Sequence, residues 1–112
     1  MTAYNRGDVV LVSFIYADET GIKYRPAVIV STDSYQRGRK EVIVLAITSN
    51  VNRLLAGDYR IAGWKEAGLL YPSVATGILR TIKQSMIHRR LGVMPPKDMQ
   101  SIEIALRKTL GL

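Results

Sequence analysis

The chain has 112 residues, with 16 Lys and Arg against 9 Asp and Glu, a formal net charge of +7, one His and no Cys. That length is read as one domain over 1–112. Without Cys there is no disulfide framework or thiolate site, and one His cannot build a metal site alone, so no metal and no cofactor is expected. The surplus of base favours an anionic partner: RNA, DNA or an acidic peptide.

Gly7-Asp8 is a turn signal ahead of the β-rich apolar run Val9–Phe14, a first strand. Ala17–Gly21 is polar and ends in Gly, a loop. Pro26 to Thr32 reads as the second strand, with Pro at its first position, where a missing N–H is tolerated. Asp33 to Lys40 reads as a polar, basic loop. Glu41 to Thr48 is apolar almost throughout, which predicts a central strand buried on both faces. After a loop over 50–56, Gly57–Ile61 alternates as a short strand, and Gly63–Gly68 fits one helical turn closed by a Gly. Ser73–Ile82 and Ser85–Arg90 are two further strands. Met99, Ile102, Ala105, Leu106 and Leu110 then recur at helical spacing, predicting a helix over 96–109 that starts at Pro95-Pro96 and stops at Gly111. Short strands followed by one amphipathic helix make a mainly β fold: a small antiparallel barrel or half-barrel with a C-terminal helix packed on it. No apolar stretch reaches the ~18 residues of a membrane span. The segment Met1–Gly7 has no apolar signal-peptide core, so the expected location is the cytoplasm.

Two short signals carry the chemistry. Lys23-Tyr24-Arg25-Pro26 lies at the start of one strand, and Ile47-Thr48-Ser49-Asn50 at the end of the next. Antiparallel pairing brings those two ends to the same side of the sheet. An Arg beside Ser, Thr and Asn is equipment for holding a phosphate. Arg53 and Asn50, in the following loop, are placed to touch a nucleic-acid strand, and Tyr24 is the best candidate to stack a base. Arg37, Arg39 and Lys40 form a basic loop cluster, for which a solvated loop is the simpler reading and an RNA-steering patch the other. Trp64 reads as packing, and His88 as a surface position on a late strand.

These residues resemble the MazF/PemK family of toxin endoribonucleases. The resemblance runs from Arg6 to Leu112 and rests on the order and spacing of Arg6–Val12, Lys23–Ala27, Ile47–Ser49, Gly57–Tyr59, Trp64–Leu69, Pro72–Val74 and Arg80–Ile82. It implies an SH3-like, CcdB/MazF-like barrel with a terminal helix, working as a homodimer. It implies sequence-selective cleavage of single-stranded RNA without a metal, by attack of the ribose 2′-hydroxyl to leave a 2′,3′-cyclic phosphate and a 5′-hydroxyl. It also implies a cognate antitoxin with a disordered, often acidic tail. The resemblance assigns catalysis to Arg25 and Thr48. Lys23, Tyr24, Ser49, Asn50, Arg53 and Arg80 are the expected RNA contacts. One departure stands out: where part of the family carries an acidic residue used in acid–base work, this chain has Gly77. Two other readings stay open, a CcdB-type toxin that binds DNA gyrase without cleaving and an inactive nucleic-acid-binding module.

Overall fold

A computed structural model describes residues 4–15, 22–52 and 54–112. Its elements in chain order are β1 (Asp8–Ile15), β2 (Ile22–Ile29), α1 (Asp33–Gln36), β3 (Glu41–Thr48), β4 (Tyr59–Arg60), β5 (Val74–Lys83), β6 (Ile87–Val93) and α2 (Pro96–Leu110). The six strands form one antiparallel sheet in the order β4-β5-β3-β2-β1-β6.

The sheet must curl. β5 and β6 lie four strand spacings apart in that order, about 19 Å if the sheet were flat. Only the 3-10 turn Gln84–Met86 joins them, and the four Cα steps from Lys83 to Ile87 span at most about 15 Å. Curling gives the sheet an apolar inner face and an apolar outer face. Val10, Val12, Ala27, Ile29, Val42, Val44, Ile82 and Ile87 pack together on one of them. Val9, Val28, Leu45, Ile47 and Ala75 pack on the other, under Met94 and Ile102. Neighbouring residues such as Val9 and Val10 therefore serve opposite cores, which is why the strands read as apolar runs rather than as alternating ones.

α2 covers the second face through Met99, Ile102 and Leu106. Its stripe does not bury to the end, since Leu110 is 50% exposed. Gly111 closes the helix in the left-handed conformation, at φ 72°. Residues 63–68 do form the single turn expected of them. Ala67 N–H donates to Gly63 O, Leu69 N–H to Trp64 O and Gly68 N–H to Lys65 O. The last two bonds are the Schellman pattern, with Gly68 at φ 84° as its left-handed residue. No substitute fits there, because a Cβ on Gly68 would fall 2.1 Å from the Leu91 carbonyl oxygen.

Several boundaries differ from those the sequence predicts. The segment 33–40 is not all loop: Asp33–Gln36 makes one helical turn, capped by the Thr32 hydroxyl, which accepts from Tyr35 N–H. Gln36 is buried and ties the turn down by donating to Tyr4 O and accepting from the Ser31 hydroxyl. β2 starts at Ile22, so Pro26 lies inside it, opposite Leu11 of β1. The ladder between β2 and β3 begins only at Ala27↔Ala46. Pro26 has no N–H to extend that ladder, so it marks where β2 parts from β3. The last strand runs over Ile87–Val93, later than expected, because Gln84–Met86 turns first. Ala17–Gly21 lies outside the described residues.

Candidate nucleic-acid interface

Arg25 and Thr48 occupy the end of the sheet where β2 and β3 part. The register sets Ala27 opposite Ala46, Val28 opposite Leu45 and Ile29 opposite Val44. Arg25 and Thr48 each lie two residues beyond the last of these pairs, at the same end of the sheet. The same alternation puts both on the face of Ala27, Ile29 and Val44, at the rim of that core. Arg25 is exposed and pairs across β1 with Val12; Thr48 is half-buried and pairs across β5 with Val74. Lys23, two residues before Arg25, shares its face.

The turn after Thr48 is built by side chains. The Thr48 hydroxyl oxygen accepts from Asn50 N–H at 3.1 Å, and Asn50 Oδ1 accepts from Asn52 N–H at 3.2 Å. Arg60 anchors the turn by donating to Val51 O at 2.7 Å. Because the Asn50 amide occupies an acceptor lone pair of Thr48, the hydroxyl hydrogen can point outward to donate. Ser49 and Asn50 are exposed beside it. Arg80 is exposed on β5 opposite Val44, on the same face as Thr48 and part-way up β3. Arg53 lies outside the described residues.

Tyr24 is placed differently from Arg25. Successive strand residues point to opposite faces, and Tyr24 meets the His88 ring of β6, with ring centroids 5.1 Å apart. His88 is distant from the motif in sequence. The order β2-β1-β6 brings it within one strand of Tyr24, a juxtaposition that no local spacing signals.

Gly77 also has a visible structural role. Its N–H donates to Asp58 Oδ1 at 3.0 Å, while Asp58 Oδ2 accepts from Leu55 N–H at 2.9 Å. A Cβ at Gly77 would meet Ala56 O at 3.4 Å and Gly57 Cα at 3.6 Å. The strand is thus the floor for the 55–58 turn, and the carboxylate nearest this position, Asp58, is engaged with backbone. Among the described residues no three His, Asp or Glu side chains gather where they could hold a metal ion. No helix among them is long and apolar enough to cross a membrane.

The fold recurs in solved structures. A mycobacterial endoribonuclease in complex with its cognate antitoxin matches with a TM-score of 0.80 at 24% identity, over 98% of this chain and 97% of that one. The Mycobacterium tuberculosis toxin MazF-mt6 matches with a TM-score of 0.76 at 23% identity, over 94% and 97%. MazF in a MazE–MazF crystal structure from Deinococcus radiodurans matches with a TM-score of 0.81 at 16% identity, over 100% and 99%. At those identities the likeness is one of fold. Residues 5–110 match the family model of the PemK-like, MazF-like toxins of type II toxin–antitoxin systems, and the chain belongs to that family.

Proposed function

We propose that this protein is the endoribonuclease toxin of a toxin–antitoxin pair, cutting single-stranded RNA at short preferred motifs without a metal. The observation that supports the reading is that the β2–β3 ladder ends at Ala27↔Ala46, with Arg25 and Thr48 each two residues beyond it at the same end of the sheet. A scissile phosphate held between them meets a permanent cation and an outward hydroxyl donor. The ribose 2′-oxygen attacks phosphorus as its proton passes to water, and the bond to the 5′-oxygen breaks. That oxygen takes up a proton, leaving a 2′,3′-cyclic phosphate and a 5′-hydroxyl.

Arg25 acts by electrostatics. Its guanidinium clamps the non-bridging oxygens with a planar fork of donors as their negative charge grows. Thr48 donates a hydrogen bond to the same group and fixes its orientation. Lys23, Arg80 and the loop residues Ser49, Asn50 and Arg53 steer the flanking phosphates and sugars. Tyr24 and His88 present rings on the opposite face, where a base turned out of the strand can stack.

The working unit is a homodimer. Leu54, Leu55, Leu79 and Leu110 are exposed apolar side chains. A Cβ on Gly57 would touch both the Thr109 hydroxyl and Gly77, so their loop, strand and helix end share one surface. An apolar patch of that kind is covered in a stable protein, and a second copy covers it here. The inhibitor is a cognate antitoxin whose acidic, disordered tail lies along the basic rim.

The test is a long mixed-sequence single-stranded RNA incubated in EDTA with wild type and with Arg25→Ala, on protein that light scattering shows to be dimeric. Discrete cuts ending in cyclic phosphate are expected, and their rate should fall by about 10²–10³ in the variant, the usual loss for one transition-state donor. RNA that the wild type binds and never cuts would remove the enzyme reading. It would leave a binding module or a toxin acting on a protein target.

A further inference from the structure

We infer that the basic cavity beside α1 is a second contact for the RNA backbone, engaging the strand several nucleotides from the bond that is cut. The inference rests on the proposal that single-stranded RNA is the substrate.

The cavity encloses about 750 Å³ and is lined by Arg37, Arg39, Lys40 and Lys83, with Asp33 as the sole acid of its lining. Three of the chain's seven net charges thus gather at one small site. Among the described residues, Arg37, Lys40 and Lys83 make no ion pair with a carboxylate, though Glu41 stands across from Lys83. Such a concentration of cations creates a local positive potential that attracts phosphates.

Its position relative to the rim gives it a use. Lys83 stands opposite Glu41 at the start of β3, Arg80 opposite Val44, and Val74 opposite Thr48 at the strand's end. Glu41 to Thr48 spans about 23 Å at ~3.3 Å per residue. Arg80 therefore lies part-way between the two along β5 and on the rim's face, while Lys83, three residues on, projects from the other face where the strand ends at the cavity. A strand running that distance covers about seven nucleotides if stacked at ~3.4 Å each, and fewer if extended.

The lining fits nucleic acid better than an acidic peptide. The Arg39 guanidinium lies over the Tyr35 ring at 4.4 Å from its centroid, a flat stacked surface that a base can extend. Asn5, Gln84 and Ser85 add amide and hydroxyl groups for base edges and ribose. A carboxylate-rich peptide would use the cations and neither of these features.

The experiment compares wild type with a variant carrying Arg37→Gln, Lys40→Gln and Lys83→Gln, all exposed positions, using RNAs that share one mapped cleavage site. One RNA has four nucleotides and the other sixteen. Affinities are measured over a range of salt in an Arg25→Ala background, and cleavage is measured in the native one. The expected result is a roughly tenfold loss of affinity for the long RNA and a salt slope lower by about 2, at ~0.7 for each phosphate that is no longer neutralised. Cleavage of the short RNA should be unchanged. A variant carrying Arg37→Lys and Lys40→Arg, which keeps the charge, should bind the long RNA as wild type does. Equal losses on both lengths, or no loss on either, would overturn the inference. So would a variant that keeps RNA affinity and loses binding to poly-glutamate, since the cavity would then serve an acidic peptide. If wild-type protein binds RNA and never cuts it, the affinity arm still decides this inference while the nuclease proposal fails.

Discussion

Asp98 and Thr48 are both small polar side chains at the end of an element, and their surroundings are opposite. Asp98 is 2% exposed, in the first turn of α2. It accepts from the Tyr59 hydroxyl at 2.5 Å, from Ala62 N–H at 2.8 Å and from Gly63 N–H at 3.0 Å. The carboxylate also sits at the positive end of the helix dipole. Every donor around it is used, so it fixes α2 to the 62–63 turn and offers nothing to a ligand. Thr48 accepts one backbone bond, from a mostly exposed turn, and its hydroxyl hydrogen stays free to point outward. The root of α2 holds the fold together, and the rim of the sheet is where the proposed RNA site lies.

Asp98→Ala is the hardest test of that contrast. It strands the buried Gly63 N–H, worth about 1–3 kcal/mol, and takes the acceptor from the part-buried Tyr59 hydroxyl and Ala62 N–H, which water can partly replace at about 0.5–1.5 kcal/mol each. A loss of about 2–4 kcal/mol is expected, a sizeable part of the 5–15 kcal/mol typical of a whole domain. Urea unfolding measures it. Activity per folded molecule should hold at low temperature. A variant that unfolds at the wild-type midpoint would show that the helix is held by its apolar stripe alone.

Thr48→Val reverses the pattern. The shapes match and the site is half-exposed, so stability should change by less than about 1 kcal/mol. Cleavage should slow by about 10–100-fold through loss of one donor to the developing charge. Single-turnover rates on a cut-site RNA read this directly. A stability loss larger than the activity loss would mean that Thr48 serves the 48–52 turn and not the substrate.

Much of the fold is legible because periodicity reports burial. β3 is legible to its observed ends, since Glu41–Thr48 is buried on both faces. The 63–68 turn and α2 are legible because Gly68, Pro96 and Gly111 mark their ends. What stays hidden depends on contacts between distant segments. α1 is only one turn long and leans on the buried Gln36, which holds Tyr4 and Ser31, so no periodic pattern announces it. The start of β2 is misplaced in sequence because a Pro ahead of an apolar run reads as a beginning. Pro26 is an interior residue at the end of the β2–β3 ladder. At the rim, the placing of Arg25 and Thr48 at one end of the sheet follows from two motifs and one antiparallel pairing. The Tyr24–His88 contact needs the whole strand order, with β6 returned to the edge beside β1. Asp58 is the instructive omission: a carboxylate does lie at the Gly77 position, supplied by a turn 19 residues earlier.

The finest probe of the comparison is the phenol that completes the Asp98 cluster. The Tyr59 hydroxyl is held above its ordinary value of 10.0, first by burial and then by the hydrogen bond it donates to Asp98, which needs its proton. A group whose proton binds more tightly in the folded state adds stability that is complete below its unfolded pKa. That stability is lost as pH rises through the folded value. Wild type should therefore exceed Tyr59→Phe by about 1 kcal/mol at pH 8, the worth of one hydrogen bond. The difference should shrink once the pH passes about 10, where a free phenol ionises. Urea midpoints of the two proteins at intervals from pH 8 to about 11.5 would show the convergence, and groups common to both proteins cancel in the difference. A gap that stayed constant across that range would show that the phenol contributes packing and not its proton. Asp98 would then be satisfied by the two backbone amides alone, and the root of α2 would depend on one fewer side chain than the geometry assigns to it.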